Sequence, residues 1–211
     1  MRFHQPLDTI LNSAAKVRIL RFLCRRGGEW NGRRIALQLG MNPVTAHKAL
    51  RELHQETLLE FRRVGSNFVY SLRDAHYLIQ QALRPLFRQE GAAAERAFDR
   101  LRMALPAGLK RQVVAVAVYG SVARRQERPT SDIDLVILVK SEQAKRRVMD
   151  ALARFSAAVE NEFGNTPATY VNTLREARRK FRRLPLFQNI LKSHRLIFGQ
   201  PLENLLHGRA T

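Results

Sequence analysis

Residues 112–139 read QVVAVAVYGSVARRQERPTSDIDLVILV, and this stretch decides the fold of the second half of the chain. Two apolar runs, at 112–119 and 133–139, have the length and composition of buried strands. The motif YGSVAR (119–124) closes the first run, and the motif SDIDL (131–135) leads into the second. The sequence therefore predicts two strands that carry polar groups where one ends and the other begins.

The first motif has the features of a phosphate-binding turn. Gly120 ends a strand and lets the backbone approach a ligand closely, since it has no side chain. Ser121 then opens a helix, whose free amides and dipole favour phosphate. The Ser121 hydroxyl adds one more hydrogen-bond donor.

The second motif predicts two carboxylates on one face of a strand. Asp132 and Asp134 are two residues apart, so they project from the same face about 6.6 Å apart along the strand. Paired carboxylates can hold Mg²⁺ against a triphosphate, as two-metal phosphoryl-transfer sites require. An isolated D-x-D is more often two solvated strand residues, but its combination with the Gly-Ser turn favours a nucleotide site.

Further elements follow along the second half. The patterns predict a helix over 142–163, a strand over 167–172, a helix over 174–183 and a last helix over 186–197. Strands that alternate with helices favour an α/β or α+β layer.

Together, G-S-x-A-R and the downstream S-D-I-D-L resemble the nucleotidyltransferase superfamily that contains DNA polymerase beta, and especially its minimal bacterial and archaeal members. The similarity runs from about Gln112 to Leu205. It implies a small mixed sheet. It also implies an NTP, with ATP as the first candidate, as substrate or ligand, and Mg²⁺ as cofactor. The implied nucleotide-binding residues are Gly120, Ser121, Arg124 and Ser131, and the implied catalytic metal ligands are Asp132 and Asp134.

The chain departs from this family at one position. Active members have a third carboxylate on a later strand, but the matching stretch ATYVN (168–172) contains no acid. Glu160 and Glu162 are nearby in sequence, and their place at a helix end indicates surface charges. Loss of the acid would weaken a proton transfer that contributes about 10²- to 10⁴-fold to rate. Three readings stay open: transfer of a nucleotidyl group to a hydroxyl acceptor, a catalytically degenerate nucleotide sensor, and an antitoxin-like transferase that modifies a protein partner.

The first third of the chain has a different pattern. Apolar residues recur at helical spacing over 7–23, which predicts one long or broken helix, and a shorter helix over 33–39 stops at Gly40. Asn42 can cap, and Pro43 can start, a third helix that runs to about Glu56. Strand-like runs at 58–63 and 68–72 then flank the turn residues VGSN.

This order resembles winged helix-turn-helix regulators of the ArsR/MarR-like type. The resemblance implies binding of double-stranded DNA by a transcriptional regulator, with the second helix of the motif in the major groove. Ala46, Leu50 and Leu53 are expected to face the core. The expected DNA-binding residues are Asn42, Val44, Thr45, His47, Lys48 and Arg51 on that helix, and Arg62 and Arg63 on the wing. The alternative is a protein-binding winged helix with a solvated basic face.

The whole is expected to be an α+β protein in three parts. These are a winged helix-turn-helix domain over 1–73, a helical connector over 74–106, and a polymerase-beta-like nucleotidyltransferase domain over 107–211. The connector has an apolar stripe, and Pro85 predicts a kink or a helix start there.

The charge of the chain agrees with polyanionic partners. The formal net charge is +19, and residues 1–75 carry 13 Lys and Arg against 6 Asp and Glu, so the excess is not confined to one tail. A merely soluble basic surface is the alternative. A single cysteine, Cys24, excludes an internal disulfide framework, and no apolar stretch approaches the length of a membrane span. The chain is therefore expected to be cytoplasmic, and, like many winged-helix regulators, a homodimer.

Overall fold

The structure is a computed structural model that describes residues 2–65, 67–181 and 183–206, with only the backbone of Asn67. The chain forms two compact units, residues 1–93 and residues 94–211. The boundary between them lies inside the segment that the sequence analysis treats as a connector.

The first unit begins with a broken helix. α1 spans Leu7–Ile10 and α2 spans Ala14–Arg26. Ser13 breaks the run, because its backbone is extended and its hydroxyl caps α2 by accepting a hydrogen bond of 3.3 Å from the amide of Lys16. The sequence allowed a long or a broken helix, and the cap decides for the broken one.

The next two helices form the expected helix-turn-helix. α3 spans Gly32–Gln38 and α4 spans Pro43–Gln55. Gly40 has φ of +53° in the turn, a left-handed conformation that glycine adopts without steric cost. Asn42 caps α4 by accepting a hydrogen bond of 2.8 Å from the amide of Val44, and Pro43 is the first helical residue. The caps read from the sequence are confirmed.

A small antiparallel sheet completes the winged helix-turn-helix. Its strands are β1 (Trp30–Asn31), β2 (Leu59–Val64) and β3 (Asn67–Leu72), in the order β1-β3-β2. The wing register pairs Phe61 with Tyr70 and Leu59 with Leu72. The helices and the wing share a core of buried aliphatic side chains, which includes Ile19, Leu20, Leu23, Ile35, Leu50, Leu53 and Leu58.

A π-helical turn over Ile79–Leu83 precedes the long helix α5, Arg84–Ala104. Pro85 is the second residue of α5, so its missing N–H falls where the backbone already changes from the wider to the tighter winding. Residues 77–83 are already helical, so Pro85 lies inside a continuous helical run rather than at a helix start, and it follows closely after the π-helical turn that interrupts the regular α-helical hydrogen bonding.

The second unit is a four-stranded sheet with helices on both faces. Its elements in chain order are α6 (Ala107–Lys110), β4 (Val113–Tyr119), α7 (Gly120–Arg124), β5 (Ile133–Val139), α8 (Glu142–Phe163), β6 (Pro167–Thr173), α9 (Leu174–Phe181), α10 (Pro185–Lys192), β7 (His194–Gly199) and α11 (Leu202–Leu206). The strand order is β6-β5-β4-β7, with β5 and β6 parallel and the other pairs antiparallel. The small mixed sheet and the α+β class are confirmed.

Alternation along β5 sends its side chains into two cores. Leu135 and Ile137 belong to a core with Val148 of α8, while Val136 and Leu138 belong to a core with Phe187 of α10. Because both faces are covered, β5 reads as a nearly continuous apolar run, and Asp134 is the polar interruption near its start.

One sequence prediction is wrong. The helix expected over 186–197 ends at Lys192, and residues 194–199 form β7, which pairs with β4. The apolar residues of this stretch fit either period, but the free edge of β4 needs backbone hydrogen-bond partners. Gly199, with φ of +95°, allows the close approach, since a Cβ there would lie 2.7 Å from the Cα of Ala115.

Candidate functional site

Tyr119 and Asp134 lie at the same end of the two central strands of the sheet in the second unit. The register pairs Val118 with Leu135, so β4 ends beside the start of β5. On the outer sides, Tyr119 pairs with His194 of β7, and Asp134 pairs with Ala168 of β6. This end of the central strands therefore brings the two sequence motifs together.

Gly120 and Asp134 are in close contact. A Cβ on Gly120 would lie 3.1 Å from the Cγ of Asp134 and closer still to its Oδ2, and Gly120 has φ of +71°. Both the packing and the backbone conformation therefore require glycine at this position. The sequence analysis assigned the glycine to the approach of a ligand, whereas the atoms that occupy the space are those of the Asp134 carboxylate.

The two aspartates act on each other electrostatically. Burial raises the pKa of Asp134, the nearby Asp132 raises it further, and Arg124 lowers it. Asp134 is half-buried and Asp132 is exposed just before β5 begins. A half-buried carboxylate whose ionisation is disfavoured by a neighbouring carboxylate is stabilised by a bound cation.

These carboxylates form a pair rather than a larger acidic cluster. Within residues 2–65, 67–181 and 183–206, no group of three or more His, Cys, Asp or Glu side chains is placed to hold a metal ion. A hard cation held by Asp132 and Asp134 would thus take its remaining oxygen ligands from water and from a bound phosphate chain.

The turn that follows β4 is short. α7 has five residues, which include Gly120, Ser121 and Arg124, and it ends at Arg125 in a left-handed conformation with φ of +56°. Such a turn offers individual backbone N–H groups to an anion rather than a long helix dipole. The sequence expectation of a helix opening at this position is confirmed, while its contribution through the dipole is small.

The loop before Asp132 is fixed by a residue that sequence reasoning missed. The Asn165 side-chain amide donates to the carbonyl oxygens of Ser131, at 2.9 Å, and Pro129, at 3.3 Å. The Ser131 hydroxyl accepts a hydrogen bond of 2.9 Å from the amide of Arg128. Ser131, which is predicted to bind nucleotide, thus stabilises the conformation of this loop by a hydrogen bond within it. Asn165 follows α8 and lies 33 residues after Asp132, and no local pattern connects the two.

Tyr119 also lies at this end of the central strands, although no role for it was predicted from the sequence. Burial raises the pKa of Tyr119, and the nearby Asp134 and Tyr170 raise it further. The phenol therefore stays neutral and can donate a hydrogen bond near the carboxylates. Its position as the last residue of a strand that leads into Gly-Ser is the signal that could have pointed to it.

On β6, the residue beside Asp134 is Ala168, and the strand contains no acid. Further along its length, the Lys180 ammonium donates to Asn172 Oδ1 at 2.7 Å and to the Tyr170 hydroxyl at 3.1 Å. Asn172 is buried, at 1% exposure. The neighbouring strand thus brings an amide and a phenol, and α9 brings the cation that binds them, so β6 supplies no carboxylate that could accept a proton.

The candidate DNA-binding face lies on α4. Its predicted outward residues Asn42, Val44, Thr45, His47, Lys48 and Arg51 are all exposed. Ala46, Leu50 and Leu53 are buried, as expected from their spacing. Val44 is 77% exposed, which is high for an apolar side chain. The predicted DNA-binding face of α4 is thus exposed to solvent along the helix.

The two wing arginines differ in their surroundings. Arg62 forms an ion pair with Glu29, in which its Nε donates to Glu29 Oε1 at 2.8 Å. Arg63 donates from Nε to the carbonyl of Gly65 at 3.0 Å, at the tip of the wing. Because they are adjacent on a strand, they project from opposite faces, so a ligand on one side of the wing meets only one of them.

In the parts of the chain that the structure describes, every helix is too short or too polar to cross a bilayer.

The comparisons with known proteins identify a domain in the second unit. Residues 107–201 match the model of the polymerase beta nucleotidyltransferase family. This segment contains the contact between Gly120 and Asp134 and the paired carboxylates. No curated protein matches the chain.

Several solved structures are similar to parts of the chain. One is a possible transcriptional regulatory protein (fragment 1–100) from Mycobacterium bovis, with 27% identity, a TM-score of 0.32, and coverage of 43% of this chain and 88% of that chain. The transcriptional repressor BigR from Xylella fastidiosa has 20% identity, a TM-score of 0.34, and coverage of 39% and 81%. A toxin-antitoxin structure with AMP-PNP has 15% identity, a TM-score of 0.34, and coverage of 54% and 80%.

Proposed function

We propose that the nucleotidyltransferase domain at residues 107–201 binds an NTP with Mg²⁺ and transfers its nucleotidyl group to a hydroxyl acceptor. The observation that carries this proposal is the packing of the Asp134 carboxylate against Gly120, with Asp132 close enough to raise the pKa of Asp134. A carboxylate held at reduced solvation beside a second carboxylate favours a cation. The backbone amides of α7 and the Arg124 guanidinium are the proposed partners of the phosphate chain.

The donor set fits Mg²⁺. Asp132 and Asp134 provide hard oxygen ligands, and since no third His, Cys, Asp or Glu joins them among the described residues, the other positions of the ion would be taken by water and phosphate oxygens. When bound, the ion would neutralise charge on the triphosphate and on the departing pyrophosphate. The magnesium site and the nucleotide are both part of the proposal.

The proposed reaction is a displacement at the α-phosphorus. The acceptor hydroxyl oxygen forms a bond to that phosphorus, the bond to the β-phosphate oxygen breaks, and pyrophosphate leaves with the electron pair. The hydroxyl proton passes to solvent, because β6 offers no carboxylate. The expected consequence is slow turnover, by the factor of about 10² to 10⁴ that a positioned base contributes. A turnover of zero with binding retained would make the domain a nucleotide sensor, which is the alternative proposal.

Labelled nucleotide tests this proposal. The chain is incubated with α-³²P-ATP and Mg²⁺, alone and with candidate acceptor proteins, and label transfer and nucleotide affinity are measured separately. The expected result is transfer that Asp132→Ala abolishes, while Asp150→Ala, an exposed acid on α8, leaves it unchanged. Transfer that survives Asp132→Ala would contradict the assignment. Label on a protein acceptor would select the antitoxin-like reading.

We also propose that the winged helix-turn-helix binds double-stranded DNA as a transcriptional regulator. The exposed polar face of α4 and the excess of positive charge over residues 1–75 support this function. The proposal includes a homodimer that reads two half-sites, a cytoplasmic location, and the division into parts at 1–73, 74–106 and 107–211.

A salt titration of duplex binding tests the DNA-binding function. Lys48→Ala and Arg51→Ala are expected to weaken binding and to reduce the slope of log K against log salt by about one each. Arg26→Ala, an exposed cation at the end of α2, is the matched control. If all three variants bound the duplex with the affinity of wild type, the result would indicate a protein-binding winged helix instead. Sedimentation of the free chain tests the dimer.

A further inference from the structure

A cavity of about 310 Å³ lies between α4 and the wing of the first unit. One wall is formed by side chains of α4, and the other by aromatic side chains of β2 and β3. The lining residues are His47, Arg51, His54, Phe61, Phe68 and Tyr70. His47 and Arg51 are among the predicted DNA contacts, whereas the aromatic wall has no role in the functions proposed above.

Two rings of the aromatic wall, Phe61 and Phe68, are stacked on each other and exposed to solvent, while the third ring, Tyr70, is buried. The ring centroid of Phe61 lies 5.0 Å from that of Phe68, with 23° between their planes, and 5.2 Å from that of Tyr70. Phe61 is 41% exposed and Phe68 is 48% exposed. Phe61 and Phe68 are not part of the buried core of the unit, whereas Tyr70 is. Two phenylalanines therefore present ring surface to solvent beside a basic helix.

Size and charge restrict what the cavity can hold. Its volume is at the lower end of the range of about 300–1,000 Å³ that ligand pockets occupy. Arg51 lines it, and the exposed Lys48 is on the same helix. A flat ring against Phe61 and Phe68, joined to a phosphate near Arg51, satisfies both the aromatic and the basic parts. A paired base inside a duplex cannot enter, since its faces are covered by its neighbours.

We infer that this cavity binds an unpaired nucleobase of the nucleic acid that α4 contacts. The inference rests on the proposed DNA-binding function and adds to it a preference for DNA with a base outside the stack. The base stacks on the ring of Phe68, and the adjacent phosphate is held by Arg51. Stacking on an aromatic side chain is sequence-tolerant, because every base has a π-face, so the site selects DNA structure rather than sequence.

The test compares three labelled DNAs of one sequence: a blunt duplex, the same duplex with one extra unpaired base, and the single strand. Dissociation constants are measured at fixed salt for the full chain. Wild type is expected to bind the bulged duplex at least about fivefold more tightly than the blunt one. Phe68→Leu and Phe61→Leu keep an apolar side chain but remove the stacking surface, and they are expected to bring this ratio to about one. Phe3→Leu, at 84% exposure and outside the cavity, is the matched control with an unchanged ratio.

A second readout reports stacking directly. With 2-aminopurine as the unpaired base, wild type is expected to quench its fluorescence, and Phe68→Leu is expected to lose that quenching. Circular dichroism establishes that each variant is folded. If one of the two leucine variants fails to fold, the other variant still tests the inference.

The outcomes separate this inference from the function on which it rests. Tight binding of the blunt duplex with no preference for the bulge, or a preference that both leucine variants retain, overturns the inference and leaves DNA binding intact. No binding to any of the three DNAs overturns both. Binding of the single strand and the bulge alone, with quenching, supports the unpaired-base site and contradicts duplex recognition.

Discussion

Replacement of Gly120 by alanine tests the geometry on which the nucleotide site depends. At φ of +71° an alanine costs about 1–2 kcal/mol, because its Cβ crowds the backbone. The added carbon would also lie 3.1 Å from the Cγ of Asp134 and push the carboxylate out of its rotamer, at about 0.5–1.5 kcal/mol more. Gly120→Ala is therefore expected to lower the free energy of unfolding by about 1.5–3.5 kcal/mol.

Gly164 provides a matched reference. Its φ is +74°, and a Cβ there would meet nothing within 4 Å, so Gly164→Ala carries the backbone cost without the collision. We expect a loss of about 1–2 kcal/mol for Gly164→Ala. In an Asp134→Ala background, the cost of Gly120→Ala should fall to the same value.

Denaturant unfolding followed by far-UV circular dichroism measures these differences. The single tryptophan, Trp30, lies in the first unit, so its fluorescence provides a transition that the second-unit variants should leave unchanged. An equal cost of Gly120→Ala in the two backgrounds, within about 0.5 kcal/mol, would refute the argument that the glycine exists to admit the Asp134 carboxylate. Loss of nucleotide binding is expected in parallel.

Three further predictions concern single charged groups. Asp134→Asn should stabilise the fold at neutral pH, because the pKa of Asp134 is raised in the folded state, and the gain should shrink as pH falls through that raised pKa and vanish below the ordinary pKa of an aspartate. Lys16→Met should cost about 1–3 kcal/mol in urea unfolding, since the Lys16 side chain is 5% exposed and its ammonium is bound to Glu52 at 2.7 Å. Glu29→Gln should release Arg62 from its ion pair, tighten duplex binding and steepen the salt slope by about one.

Each of these predictions has an outcome that contradicts it. A pH-independent difference between Asp134→Asn and wild type would show that the carboxylate is not destabilised by its surroundings. A cost below about 0.5 kcal/mol for Lys16→Met would make the buried ammonium a surface-like charge. Unchanged salt dependence of Glu29→Gln would exclude Arg62 from the DNA contacts.

The sequence predicted the elements that depend on local patterns. The helix expected over 142–163 is α8, Glu142–Phe163, and the strand expected over 133–139 is β5, Ile133–Val139. In both cases the apolar spacing and the boundary residues agree, so propensity and burial favour the same structure. The caps of α4 were readable for the same reason, because Asn and Pro act within a few residues of their own position.

The prediction failed where a distant strand decides the structure. Residues 194–199 have apolar side chains that suit a helix, yet they form β7 because the edge of β4 is available to them. No pattern within the segment records that edge. A free row of backbone donors and acceptors is a property of the assembled sheet.

By itself the sequence identified the candidate residues for the proposed chemistry: a glycine, a serine and two aspartates at the ends of two strands, and a polar face on α4. Only the tertiary structure decided that Asp134 packs against Gly120, that Asn165 holds the loop before Asp132, and that Glu29 pairs with Arg62. The physical reason is range. Periodicity and capping act within a few residues, whereas these contacts join positions that chain folding brings together from 14 to 34 residues apart.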